Sequence, residues 1–361
     1  MIQCANPAAQ FLSYQHEIEK AVTRVLRCNK YILGPEVENL EREFAEFVGT
    51  ESAIGVANGT DALEIAMRAL DIGVGDEVIT VSHTAVATVA AIEAVGAIPV
   101  LVDVDPRYYT LDPEHLTKAL SVRTRAVIAV HLYGQSADLD AIGKFCTDHG
   151  LELIEDVSQA HGALWKGKKL GSIGRVGCFS CYPTKNLGAI GDAGLITTND
   201  KNLADKIKMV REYGWRNRYV SEIPGRNSRL DELQAAILRV KLSHLNEDNE
   251  RRRERAAHYN RLLAGLDFIL PQTRTDAEHV FHLYVLRTSR RDSVISNLNL
   301  AGIFPGIHYP VPIHRQGAYE GRVRTVSSMQ VTDSLAGQVL SLPMYPELSD
   351  LQVEEVVRAI H

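Results

Sequence analysis

Between residues 53 and 198 short apolar, β-branched runs alternate with longer segments whose apolar positions recur every three or four residues. The short runs predict strands at 53–56, 77–81, 98–104, 125–131, 151–156, 175–181 and 194–198. The longer segments predict helices at 61–70, 85–95, 113–120 and 138–149. Strand and helix in alternation is the pattern of an α/β domain whose parallel sheet is covered on both faces.

After residue 200 the pattern changes. Residues 201–213 read as a helix, and 230 to about 263 as a long helix rich in Arg, Glu and Ala that leads into a second domain. A β-type run at 280–287, a helix at 292–301 and two more helices in 332–361, around Pro343 and Pro346, complete the chain. The expected division is a large domain over 1–240 and a smaller C-terminal domain over 241–361. With 361 residues, 45% of them hydrophobic, the chain has enough material for two cores.

Charge and composition narrow the function. A formal charge of −6 and a pI near 6.1 argue against nucleic acid as a partner. The one basic cluster, Arg251-Arg-Arg-Glu-Arg255, reads as a solvated helix face. The most apolar long stretch, 85–102, is broken by Glu93, Gly96 and Pro99, so no membrane span is expected. The segment Met1-Ile-Gln-Cys-Ala-Asn-Pro lacks a secretory pattern, and five cysteines form an odd, sparse set. A cytoplasmic protein with reduced thiols is the expectation.

Against that background one lysine stands out. Lys185 follows Phe179-Ser-Cys-Tyr-Pro-Thr, downstream of an apolar run that ends in Glu155 and Asp156. Pyridoxal phosphate chemistry needs an amine to hold the aldehyde as a Schiff base and a carboxylate to keep the pyridine nitrogen protonated. Lys185 and Asp156 are candidates for the two roles. Asn58-Gly-Thr-Asp61 follows a strand and opens a helix, an arrangement in which Gly59 lets backbone approach a phosphate and Thr60 adds a hydroxyl. An ordinary helix cap reads the same way. Ser180 is a further phosphate donor, and Gln159 a donor to the ring hydroxyl. His161 reads equally well as a satisfied buried histidine.

Cys178 and Cys181 form a lone C-x-x-C; on a strand they have opposite parity, so they are read as free thiols and no metal site is expected. The glycines of 188–194 have the wrong spacing for a dinucleotide fingerprint and read as a turn. Tyr182, His308 and Tyr309, beside Pro183 and Pro310, are polar aromatics suited to a sugar and read equally well as surface loop aromatics. Arg216 and Arg218 are candidates for a diphosphate, with ordinary exposed arginines the stronger alternative.

Four motifs, in order, carry a family resemblance: Asn58-Gly-Thr-Asp-Ala-Leu63; Glu155-Asp156 with Gln159-Ala-His-Gly162; Ser180 with Pro183-Thr-Lys-Asn-Leu-Gly188; and Asn227-Ser-Arg-Leu-Asp-Glu-Leu-Gln-Ala-Ala236. From about residue 30 onward the chain resembles the DegT/StrS-type sugar-nucleotide aminotransferases. That resemblance implies a fold type I pyridoxal phosphate enzyme: a mixed, mostly parallel seven-stranded sheet flanked by helices, a smaller C-terminal α+β domain, and a homodimer with shared active sites. It assigns the Schiff base to Lys185, the pyridine nitrogen to Asp156, the ring hydroxyl to Gln159 and the phosphate to Gly59, Thr60 and Ser180. It also brings Asn227 from the other subunit.

His83-Thr-Ala-Val-Ala-Thr88 and Gly306-Ile-His-Tyr-Pro-Val-Pro312 are most similar to members that aminate C3 of dTDP-linked 3-keto-6-deoxyhexoses, gluco or galacto. In that subgroup Tyr182, His308, Tyr309 and Arg218 are expected at the sugar. The chain departs from the family at Ala85, where an aromatic often covers the cofactor ring, and His83 is the candidate to replace it. The implied reaction is transamination from L-glutamate with pyridoxamine phosphate as the intermediate form. The alternatives are C4 amination of a 4-keto sugar nucleotide and a non-catalytic, sugar-nucleotide-sensing regulator.

Overall fold

The computed structural model describes residues 1–326 and 328–360. Seven strands form its main sheet: β1 (Ser52–Val56), β2 (Glu77–Val81), β3 (Ile98–Val102), β4 (Thr124–Val130), β5 (Glu152–Asp156), β6 (Val176–Ser180) and β7 (Gly194–Thr198). They lie in the order β3-β2-β4-β5-β6-β7-β1, and an eighth, two-residue strand, Arg324–Thr325, pairs in parallel with β3 at one edge. The expected seven-stranded sheet is thus extended by one short strand from the C-terminal part. Only β7 is antiparallel to its neighbours, so the sheet is mixed and mostly parallel. Its strands are apolar on both faces because helices cover both.

This topology gathers the C-terminal ends of the parallel strands along one edge, where open α/β sheets bind ligands. Gly194 pairs with both Val56 and Ser180, so the ends of β1 and β6 lie level across the start of β7. Asp156 pairs with Val130 on one side and Cys178 on the other. The helix Gly59–Ala69 therefore starts beside the end of β6.

Three N-terminal helices, Pro7–Ser13, Gln15–Leu26 and Pro35–Val48, lie outside the sequence expectation. The last has helical periodicity at Val37, Leu40, Phe44 and Val48, all buried, a Pro at its start and a left-handed Gly49 at its end. Its first turn is capped from a distance: the Glu232 carboxylate accepts the N–H groups of Gly34, Glu36 and Val37 at 2.8–3.0 Å. Glu232 opens the 32-residue helix Glu232–Leu263, which packs on the second and third of these helices.

A second apolar core joins Ile2, Ala256, Tyr259, Tyr284, Leu340 and Val356. At its centre Tyr284–Arg287 pairs antiparallel with Val339–Leu342, and helix Arg291–Leu300 lies beside it. Val339–Leu342 corrects the reading of 332–361 as helices alone: Gln330–Gln338 and Asp350–Ala359 are helical, with this strand between them. The expected boundary at 240/241 falls inside the long helix. Arg252 corrects the reading of the basic cluster as solvated. It is 4% exposed, and its guanidinium donates to the carbonyls of Phe281, His282 and Met344.

Candidate active site

A cavity of about 570 Å³ opens at the strand-end edge, with Gly59, Thr60, Asp156, Gln159, Ser180 and Lys185 among its lining residues. That size lies within the usual range for a small-molecule site.

One end of the cavity is a helix start. Asn58 Oδ1 accepts the Asp61 N–H at 2.8 Å, and the amides of Gly59 and Thr60 belong to the first turn, where no helical acceptor exists. A side chain at residue 59 has no room: its Cβ would fall 2.5 Å from Ser180 Cβ. Glycine here lets the helix start and the Ser180 hydroxyl converge on one spot, as a phosphate cradle requires.

Asp156, 5% exposed, ends β5. Thr88 Oγ1 donates to its Oδ2 at 2.9 Å and the Ser158 N–H to its Oδ1 at 3.2 Å, which fixes the carboxylate at the cavity wall. Thr88 belongs to a motif noted in the sequence, yet nothing local reveals this contact; it depends on helix Val86–Ala94 bringing Thr88 to a carboxylate 68 residues away.

Lys185 lies in the loop after β6, bonded through its N–H to the Tyr182 carbonyl at 2.8 Å. The next residue anchors the loop: Asn186 Nδ2 donates to Asn249 Oδ1 at 2.8 Å and to the Val280 carbonyl at 3.0 Å. Burial lowers the Lys185 amine to about 8, against the opposing pull of Asp156 and Cys181. His161, beside it, is fully buried, and neither ring nitrogen has a hydrogen-bond partner among the described residues. Burial and then the Lys185 charge push its imidazole down to about 3.

Gln159 has both ends of its amide fixed. Its Oε1 accepts the Tyr133 N–H at 2.8 Å, so its Nε2 is the end that meets Tyr309 Oη, at 2.9 Å. Tyr309 is thereby joined to the cavity from a loop 150 residues away. Its neighbour His308 bonds through Nδ1 to Ser341 Oγ at 2.8 Å. Tyr182, 53% exposed, lines the cavity mouth. His83, the candidate to cover the cofactor ring, does not line the cavity: it is 1% exposed with its Nε2 2.7 Å from Tyr133 Oη, and Thr84, Ala85 and Ala87 line the cavity instead.

Two more of the expected site residues do not line this cavity. Arg218 sits at the tip of the exposed hairpin Trp215–Asn217/Val220–Ser221, its guanidinium 4.8 Å from the Tyr219 ring centre. Asn227 is exposed on the return segment, where it bridges to Glu212. Arg216, weighed for a diphosphate, pairs with Glu222 at 2.9 Å. Cys178 and Cys181 are separate, buried free thiols.

The donor set fits pyridoxal phosphate: an amine, a carboxylate and an amide donor on one cavity, and a helix start with glycine at close approach. Comparison with known proteins agrees. The family model for the DegT/DnrJ/EryC1/StrS aminotransferase family matches residues 13–361. The dTDP-3-amino-3,4,6-trideoxy-alpha-D-glucose transaminase of Streptomyces venezuelae is 46% identical over 98% of this chain and 93% of its own. The dTDP-3-amino-3,6-dideoxy-alpha-D-galactopyranose transaminase of Aneurinibacillus thermoaerophilus is 46% identical over 97% of this chain and 96% of its own. The crystal structure of S. venezuelae DesV in complex with a ketimine intermediate superposes with a TM-score of 0.97, at 45% identity, over 99% of this chain and 97% of that one. The chain therefore belongs to the DegT/DnrJ/EryC1/StrS aminotransferase family.

Proposed function

We propose that this protein transfers the amino group of L-glutamate to C3 of a dTDP-linked 3-keto-6-deoxyhexose, with pyridoxal phosphate as cofactor. The observation that carries the reading is that Lys185 and Asp156 face one cavity whose far end is the start of helix Gly59–Ala69. Relatives that aminate dTDP-sugars at C3 in both the gluco and galacto series support the substrate class.

In this reading Gly59, Thr60 and Ser180 take the phosphate, Asp156 the ring nitrogen and Gln159 the ring hydroxyl. Bound there, pyridoxal phosphate supplies an electron sink that makes a neighbouring C–H acidic. Lys185 Nζ takes the proton from Cα of the amino donor and later delivers one to C3 of the sugar. An amine near 8 leaves a usable share of free base at neutral pH, far more than an ordinary lysine. Thr88 and the Ser158 N–H keep the Asp156 carboxylate aimed during both halves. Tyr182, His308 and Tyr309 form the sugar wall, and His83 supports that wall through Tyr133.

In this reading the working form is a homodimer, and the exposed Arg218 and Asn227 are lent to the active site of the second copy. The described residues include no helix long and apolar enough to cross a membrane, and a cytoplasmic enzyme fits this substrate class.

The test is to load the enzyme with amine from L-glutamate, offer dTDP-linked 3-keto and 4-keto sugars in parallel, and locate the new C–N bond by NMR. A bond at C3 is expected. Amination only at C4 overturns the regiochemistry, and no spectral response to glutamate overturns catalysis and returns the sensing regulator.

A further inference from the structure

Tyr133 joins elements that the sequence keeps far apart. It follows β4 in a left-handed backbone conformation, φ 62°, which a bulky side chain adopts only when its surroundings hold it. Its N–H is given to Gln159 Oε1 at 2.8 Å, on the cofactor side of the cavity. Its carbonyl accepts the Leu283 N–H at 3.2 Å. Its hydroxyl, fully buried, donates to the carbonyl of His308, in the loop that also carries Tyr309.

The proton inventory of this cluster is fixed by chemistry. A carbonyl only accepts, so the single Tyr133 hydroxyl proton goes to His308. The contact between His83 Nε2 and Tyr133 Oη, 2.7 Å, is then one in which His83 donates. His83 Nδ1 is left without a proton and without a partner among the described residues. Tyr309 Oη accepts from Gln159 Nε2 at 2.9 Å, so its own proton is free for a ligand. Each polar group here has one permitted direction, and the directions run from His83 through Tyr133 into the 306–312 loop.

We infer that Tyr133 is a positioning residue that sets the His308–Tyr309 loop against the cofactor side of the cavity: its hydroxyl holds the loop while its backbone orients Gln159. The inference rests on the proposed reading in placing the sugar at Tyr309 and the cofactor at Gln159. Tyr133→Phe separates the two connections, because it deletes the hydroxyl contacts and keeps the N–H to Gln159. In the enzyme loaded with pyridoxal phosphate, hydrogen–deuterium exchange of 305–312 should quicken by about tenfold, since the His308 carbonyl loses its donor. Amine loading from L-glutamate should stay within about twofold, while KM for the keto sugar rises about tenfold with kcat nearly unchanged.

Unchanged exchange, or equal losses in both half-reactions, overturns the inference. If the wild-type enzyme aminates no keto sugar, the proposed function falls, and exchange at 305–312 alone decides the role of Tyr133. Should Tyr133→Phe fail to fold, Tyr133→Met deletes the same hydroxyl with a flexible side chain and keeps the N–H to Gln159. It should quicken the same exchange, and no change there also overturns the inference.

Discussion

Two lysines with lowered amines meet at the loop after β6. Lys185 lies within it, and Lys241 reaches it from the long helix, donating through Nζ to the Gly188 carbonyl at 2.7 Å. Burial lowers both amines to about 8. A depressed amine is the property commonly used to pick out a catalytic lysine, and here it does not discriminate. Geometry does: Lys185 lines the cavity, whereas Lys241 is 2% exposed with its amine committed to backbone. The same holds for the adjacent carboxylates of β5. Asp156 faces the cavity, while Glu155, on the other face, accepts the N–H groups of Gly171, Ile173 and Gly174 at 2.7–2.9 Å and His131 Nε2 at 3.1 Å. In the proposed reading one member of each pair is placed for chemistry, and its twin braces the scaffold.

The sharpest way to break this contrast is substitution of the lysines. Lys185→Ala should reduce amino transfer by at least about 10³-fold in steady-state assays while the fold persists. Lys241→Met should leave the transfer measurable and lower stability by about 1–3 kcal/mol in denaturant titrations, because the Gly188 carbonyl loses its donor. A reversed outcome would break the assignment.

The carboxylates divide in the same way. Asp156→Asn should slow transfer by about 10²-fold with little change in the unfolding midpoint, if its role is electrostatic. Glu155→Gln should do the opposite, losing about 2–4 kcal/mol of stability as backbone donors are left poorly matched. Burial pushes the Glu155 carboxyl up, but the His131 hydrogen bond and the Gly171 and Gly174 amides outweigh it and hold it below the usual range. Its stabilisation is therefore present above the ordinary carboxylate range and is lost as pH falls through its own lowered value.

Acid sensitivity begins earlier, with the histidines. Burial holds His83 and His308 at about 4 and His161 and His279 at about 3. Unfolded histidines take up protons near 6.5, so stability should decline as pH falls from about 6.5 toward 4, by up to about 1.4 kcal/mol per unit for each neutral histidine. Thermal midpoints recorded across that range check this; a flat profile would contradict their burial as neutral rings. The smallest effect belongs to Thr88→Val, which removes one donor from Asp156 and should slow transfer by about fivefold to tenfold.

Much of this was legible in the sequence, for physical reasons. The seven strands announce themselves because each is apolar on both faces, and the phosphate cradle because it needs a glycine in a strand-to-helix turn. Helix Pro35–Val48 carries its own periodicity and caps, so its signal is present in the sequence. Arg252 was readable too: the spacing 245, 249, 252, 256, 259 puts it on the buried face of the long helix. Tyr133 was not. Its function depends on a left-handed backbone and a carbonyl 175 residues away, neither of which leaves a local trace. Strand Val339–Leu342 is equally silent, being recognised only by its partner at 284–287.

Borohydride trapping separates the two lysines in a single experiment. The protein is incubated with pyridoxal phosphate, reduced and digested, and the phosphopyridoxyl group is located by mass spectrometry. The account predicts the label on Lys185, with Lys241 unmodified. Label on Lys241, or on neither, would contradict the claim that access to the cavity, rather than a lowered amine alone, selects the reactive lysine.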